Sequence, residues 1–232
     1  MLKHIFAQPE NVCGIDIYPV RLIDYDKFIE CSKFLYISKK NFNTTSYSLY
    51  ELLFMTHDQL GMTMQTLIAN MEKTFQIVTR RDVVFTHTTG FKVDGKTIIA
   101  SNYEEIRRII MIQNLMFEPK VYKNPLVQEW ANKVITCKQK NGTKVTMEDM
   151  VTTVKSYQGL TYDQLQNETI YQLYADFYRV CMIMQFEQAS LFATVSSEKM
   201  NIQYFAENID LFKNPYDSLF VSSDKLSKFN AL

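Results

Sequence analysis

The chain has 232 residues, sets 25 basic against 25 acidic side chains, and is 47% hydrophobic and 22% charged. This is the composition of an ordinary folded protein with a real core, in one large domain or two small ones. It lacks the basic excess of a protein that neutralises many phosphates, and no apolar run approaches the roughly 20 residues of a membrane-crossing helix.

The first expected element is a short strand over residues 12–20, where Ile15 and Ile17 alternate with Asp16 and Pro19 marks an edge. A helix is predicted over 24–37, with Asp24 as N-cap and Phe28, Phe34 and Leu35 at helical spacing. A polar break at 41–46 leads to residues 48–79, mostly helical, whose leucine and methionine stripe Gly61 divides in two. Met55, Met62, Met64 and Met71 fall on this stripe. Core packing is the commoner use of such methionines, and an adaptable docking surface is the other.

Val83, Val84 and Phe85 predict a strand. Phe91–Ile99 predicts a hairpin, because Asp94-Gly95 suits the positive φ angles of a tight type I′ turn. With the early strand this makes a small sheet of three or four strands. Ser101 and Glu104 predict a capping box opening the next helix. Residues 117–125, with two prolines, form the best internal boundary.

Beyond it the sequence reads as all helix. A helix over 127–140 carries the only tryptophan, Trp130. Another is capped by Thr146 with Asp149 and stopped by Gly159. A short turn opens at Thr161 with Gln164. A long helix near 168–195 follows, apolar on nearly all sides, and so requires cover on all sides. We expect it to be mostly core, with the aromatic segment 205–220 folding back over it. The fold class is therefore mainly α (α+β): a helical bundle-like core with a small antiparallel sheet or hairpin in the N-terminal half. Residues 1–118 form an α+β part and 119–232 an all-α part, or one continuous domain.

No catalytic constellation is legible. His4, His57 and His87 sit at metal-ligand spacing from neither each other nor a cysteine. Cys13, Cys31, Cys137 and Cys181 are read as free thiols in small hydrophobic roles, without a secretory leader. The pairs Glu104-Glu105 and Glu148-Asp149 fall in first helical turns, where the helix dipole favours negative charge without any acid–base role. Six scattered glycines argue against Rossmann and P-loop chemistry. The expectation is no catalytic residue, cofactor, metal, nucleic acid or membrane partner.

Four phrases bear a resemblance: Ile17-Tyr-Pro-Val-Arg-Leu-Ile-Asp-Tyr-Asp-Lys-Phe28, Asn102-Tyr-Glu-Glu-Ile-Arg-Arg-Ile-Ile-Met-Ile-Gln-Asn114, Asn167-Glu-Thr-Ile-Tyr-Gln-Leu-Tyr174, and Leu191-Phe-Ala-Thr-Val-Ser-Ser-Glu-Lys199 with residues 205–220. In this order the chain resembles tail assembly chaperones and related tail-morphogenesis proteins from large tailed bacteriophages and prophages of Gram-positive hosts. The resemblance implies a non-enzymatic protein that binds other tail proteins, the tape-measure or tail-tube protein, in the host cytoplasm. It brings no catalytic residues. A virion subunit of the tail or baseplate is the first alternative; a small enzyme and a nucleic-acid-binding regulator are the others. Partner-binding residues are expected at Met55, Met62, Met64, Met71, Phe205, Phe212, Tyr216 and Phe220, and a homo-oligomer is a further expectation.

Overall fold

The structure, a computed structural model, describes residues 2–42, 46–118, 120, 124, 126, 128–130, 132–133, 145–197 and 200–213. After a one-turn helix α1 (Leu2–Ile5), two short strands, β1 (Glu10–Val12) and β2 (Ile15–Ile17), pair antiparallel. The single strand expected over 12–20 is thus a hairpin. Cys13 and Gly14 turn the chain, both at positive φ. Asn11 holds that turn, accepting from the Gly14 amide at 3.1 Å and donating to Asp16 at 2.6 Å. Val12, Ile15 and Ile17 point inward and are buried.

The helix predicted over 24–37 is shorter. Only α2 (Tyr25–Cys31) is α-helical, between 3-10 turns at Leu22–Asp24 and Ser32–Tyr36. Asp24 stands at its N-cap without a side-chain cap bond and pairs instead with Arg21 at 3.2 Å. Tighter winding after Cys31 brings Phe34 and Leu35 into the core, where both are fully buried.

Gly61 divides the methionine-rich stretch as its residue type allows, in the left-handed region. Before it lies α3 (Leu49–Met55), opened by a reciprocal Ser48/Glu51 capping box. After it lies α4 (Met64–Thr79), whose Leu67, Met71, Thr74, Phe75 and Val78 form one buried stripe through the centre of the fold. α4 ends at Arg80 in the left-handed region. The Arg80 guanidinium lies 4.4 Å from the centre of the Tyr18 ring, within cation–π reach.

β3 (Val83–Thr86), β4 (Gly90–Val93) and β5 (Lys96–Ile98) form an antiparallel sheet in that order. Asp94 and Gly95 make its turn, both at positive φ, as their residue types predict. This sheet and the β1–β2 hairpin are separate, which corrects the expectation of one sheet. Both outer edges are occupied by side chains. Glu72 accepts from the Phe85 amide at 2.7 Å and Gln76 donates to the Val83 carbonyl at 3.4 Å. On the far edge Asn102 donates to Thr97 at 2.9 Å and accepts from Ile99 at 2.8 Å. Edges satisfied in this way offer little to a strand of another chain.

That use of Asn102 displaces the predicted capping box. Helix α5 (Tyr103–Gln113) starts after Asn102, and neither Ser101 nor Glu104 caps it. At its other end Asn114 accepts from the Val20 amide at 2.9 Å and Gln113 donates to the Ile17 carbonyl at 3.0 Å, which locks α5 to the first hairpin.

The C-terminal part comprises α6 (Met147–Gln158), α7 (Tyr162–Leu165) and α8 (Ile170–Val195). Each is opened by a capping box, through Thr146/Asp149, Thr161/Gln164 and Thr169/Gln172. Gly159 ends α6 at φ 70°. The backbone joins this part to the first. The Leu22 amide donates to Glu168 at 2.8 Å, Ile23 donates to Gln166 at 3.0 Å, and Arg21 bridges Thr169. Ile170 enters the main core, while Met150, Val154, Leu165 and Leu173 form a smaller one. The helix expected over 127–140 and the loop over 117–125 lie largely outside the described residues. The fold is mainly α (α+β) with small antiparallel sheets.

Candidate protein-interaction interface

Helix α8 carries an apolar residue at every seventh position: Ile170, Phe177, Met184 and Leu191. Leu173 and Val180 fill the intervening places in the first half, at coiled-coil spacing; beyond Val180 those places hold Glu187 and Thr194, and the apolar face continues through Met184, Leu191, Phe192 and Val195. Up to Val180 the stripe is covered. Ile170, Leu173 and Val180 are buried against the body and α6. Beyond Val180 this face is bare, with Leu191 69%, Phe192 64% and Val195 80% exposed and Met184 nearly half so.

This corrects the expectation that α8 is mostly core. The reason is length. Helix α8 has 26 residues. Its helical neighbour α6 has 12 residues. At roughly 1.5 Å of rise per residue these are about 39 Å and about 18 Å long. α6 can cover half of α8 at most. Cys181, expected on a buried face, is exposed for the same reason, while Cys31 is buried and its thiol pushed upward in pKa, first by that burial. Cys137 lies outside the described residues.

The opposite face of α8 is dressed by the chain's own tail, which folds back as predicted over its described part to Lys213; residues 214–220 of the expected segment lie outside the described residues. The Tyr204 ring meets that of Phe186 edge-on, 6.1 Å between centres. The Phe205 ring does the same at 5.3 Å. Edge-to-face contacts of this kind suit the charge distribution of aromatic rings. The Arg179 guanidinium donates to the carbonyls of Phe205 and Glu207. Further along, Phe212 stacks on Tyr171 at 5.5 Å and meets His4 at 5.0 Å. Gln172 donates to the Ile5 carbonyl at 2.7 Å, so α1 is pinned to the same place.

The His4 ring has its pKa held below the ordinary value by burial first, against the opposing pull of Glu10 and with help from the N-terminal amine and Lys3. The stack therefore holds the neutral ring. Its contribution is present above the unfolded value of about 6.5 and is lost as the pH falls through the lower folded value. Hydrogen-exchange protection of the amides at 204–212 is expected to drop as the pH is lowered below the unfolded value of about 6.5, and His4→Phe to retain it. Equal pH dependence in both proteins would show that His4 does not hold the tail.

The other expected partner-binding residues divide among several places. Met71 is fully buried in the main core and unavailable to a partner, because α4 is enclosed on that side. Met62 and Met64 are half-buried, with Met62 packed against the core. Met55 is 60% exposed, on the rim of an open cavity of about 470 Å³ lined also by Tyr47, Tyr50, Phe54, Phe85 and His87. Burial pushes the Tyr50 hydroxyl pKa up to about 12. Gly90 closes the floor of that cavity, where a Cβ would lie 2.6 Å from the Ile98 carbonyl and φ is positive. Only glycine fits such a position without strain. Phe205 and Phe212 are engaged within the chain, and Tyr216 and Phe220 lie outside the described residues. Met184, Leu191, Phe192 and Val195 are not among the expected docking residues. The signal that could have found them is the comparison of stripe length with the length of the capped helix before it.

Among the described residues no group of three or more His, Cys, Asp or Glu side chains could hold a metal ion, and no helix is long and apolar enough to cross a membrane.

A family model described as the YomV second domain matches residues 138–210, the span that includes α6, α7, α8 and the returning tail to Asp210. The chain is also 30% identical over 136 residues to the SPbeta prophage-derived uncharacterized protein YomV of Bacillus subtilis (strain 168), a match covering 55% of this chain. The chain spans 57% of that relative's length. These similarities support a phage or prophage origin. No solved structure matches the chain.

Proposed function

We propose that the chain is a non-enzymatic protein-interaction module of phage tail morphogenesis, acting as a tail assembly chaperone. The observation that carries this reading is the apolar face of α8 beyond Val180, where Leu191, Phe192 and Val195 are exposed while the described part of the tail lies on the other face. A contiguous apolar patch of this kind marks a binding surface in a folded protein. Such a face fits an amphipathic helix laid alongside, the mode by which a long helical tape-measure protein would be held before assembly. The prophage-derived relative supports the setting.

Co-expression with the tape-measure and tail-tube proteins tests the reading. Co-purification with either is expected, together with absence of the chain from purified virions by mass spectrometry. Retention in the virion would favour a tail or baseplate subunit, and failure to bind either protein would overturn the proposal.

A further inference from the structure

We infer that residues 200–213 form a self-docked strap that opens and closes as one unit over an aromatic cavity, with Arg179 as its latch. The strap is built to detach. Every residue from Met200 to Lys213 is exposed or only half-buried. The strap keeps its own shape through internal bonds. The Glu207 amide donates to the Tyr204 carbonyl at 3.1 Å, Gln203 donates to the Glu207 carboxylate at 2.9 Å, and the Phe212 amide donates to the Asp210 carboxylate at 3.0 Å. Among the described residues its polar bonds to the body come from one side chain, Arg179, which donates to the carbonyls of Phe205 and Glu207. The other attachments are rings: Tyr204 and Phe205 on Phe186, and Phe212 on Tyr171 and His4. A segment with few buried contacts, and among the described residues no backbone hydrogen bond to the body, opens at far smaller cost than the whole fold.

What the strap closes is a cavity of about 490 Å³, to which Ile209, Asp210, Leu211 and Lys213 supply one wall. The other walls include Tyr25, Phe28 and Tyr36 of the N-terminal part and Tyr174 and Tyr178 of α8. Aromatic rings carrying hydroxyls around a space of that size suit a small apolar ligand with a polar edge. With the strap seated, the chain itself completes the enclosure, and Tyr171 is only 8% exposed against Phe212. With the strap lifted, that wall is gone and Tyr171 and Tyr174 meet solvent. The device governs access to this cavity and does not rest on the morphogenesis reading.

The test uses the full chain. Arg179→Met keeps the aliphatic reach of the side chain and removes both donated bonds. Hydrogen exchange of the Glu207 and Phe212 amides is expected to quicken about tenfold or more, the effect of losing a charge-assisted bond. Nitration by tetranitromethane, mapped by mass spectrometry, is expected to rise by a similar factor at Tyr171 and Tyr174. It should not change at Tyr103, which is fully enclosed in the main core. Phe212→Ala loosens the other end, and the Glu207 amide is expected to quicken in it as well, because a unit opens from either end. Neither Arg179 nor Phe212 is buried, so the thermal melt should stay where it is.

Unchanged exchange in Arg179→Met would remove Arg179 as the latch. Loosening confined to the mutated end in either variant would show that the strap is not one unit. Faster exchange without a rise at Tyr174 would show that it does not close the cavity. An equal rise at Tyr103 would mean a general loosening of the fold. Each of these outcomes overturns the inference, and none of them bears on whether tail proteins co-purify.

Discussion

Replacing Phe91 by alanine is expected to remove about 3–5 kcal/mol of stability, the range for truncating a fully enclosed phenylalanine. Phe91 sits on the central strand β4 and is fully buried. Its ring lies 4.9 Å from that of Phe85 and 5.2 Å from that of Phe75, with Tyr50 at 6.4 Å and Phe54 at 6.5 Å. It thus joins the sheet to α3 and α4 at once, and no single neighbour can relax into the space it would leave. Urea unfolding should show a lowered midpoint at constant slope. Val84, on the same sheet but 59% exposed, is the control. Val84→Ala should change stability by less than about 0.5 kcal/mol. A loss below about 1 kcal/mol at Phe91 would mean that the aromatic cluster is not the keystone of the N-terminal part.

The second large effect concerns the buried guanidinium of Arg107. It donates to the Leu35 carbonyl at 2.8 Å and to the Glu118 carboxylate at 2.7 Å, while its remaining terminal nitrogen is buried without a hydrogen-bond partner. Its side chain is 7% exposed and that of Glu118 is 36% exposed. A charge in that position depends on its counter-ion. Glu118→Ala should cost about 2–4 kcal/mol, because it strands a desolvated cation; the exposure of Glu118 keeps the figure below the full cost of breaking an enclosed pair. Arg107→Met removes the cation, leaves the carboxylate free to reach water, and fills similar volume, so it should cost less despite the lost bond to Leu35. Chemical denaturation of both variants decides the order. A more damaging Arg107→Met would show that the bond to the Leu35 carbonyl, which ties α5 to the turn after α2, outweighs the ion pair.

Local signals in the sequence are legible wherever the determinant is a short-range one. Asp94-Gly95 turns as it must because few other pairs tolerate two positive φ angles. Thr146 with Asp149, Thr161 with Gln164, and Gly159 set helix ends through hydrogen bonds spanning three or four residues. The same local logic fails where a side chain has a better distant use. Asn102 bonds the edge of β5 and shifts the start of α5 away from Ser101, and Cys13-Gly14 turns a strand that alternation alone reads as continuous. Of the expected interface, Met55 lies on an open surface and Met71 lies in the core, a distinction that periodicity cannot make because both belong to apolar stripes.

The sequence by itself determined the mainly helical α+β class, the Asp94-Gly95 turn and the helix ends at Thr146, Gly159 and Thr161. Each of these follows from residues close in the chain or from an apolar period that one helix displays alone. Only the tertiary structure decided which part of α8 is buried, that the small sheet has both edges plugged, and that a bare, nearly uncharged stripe remains at the distal end. Burial depends on the reach of neighbouring elements. α6 ends before α8 does, so the same apolar face is core on one side of Val180 and open surface on the other.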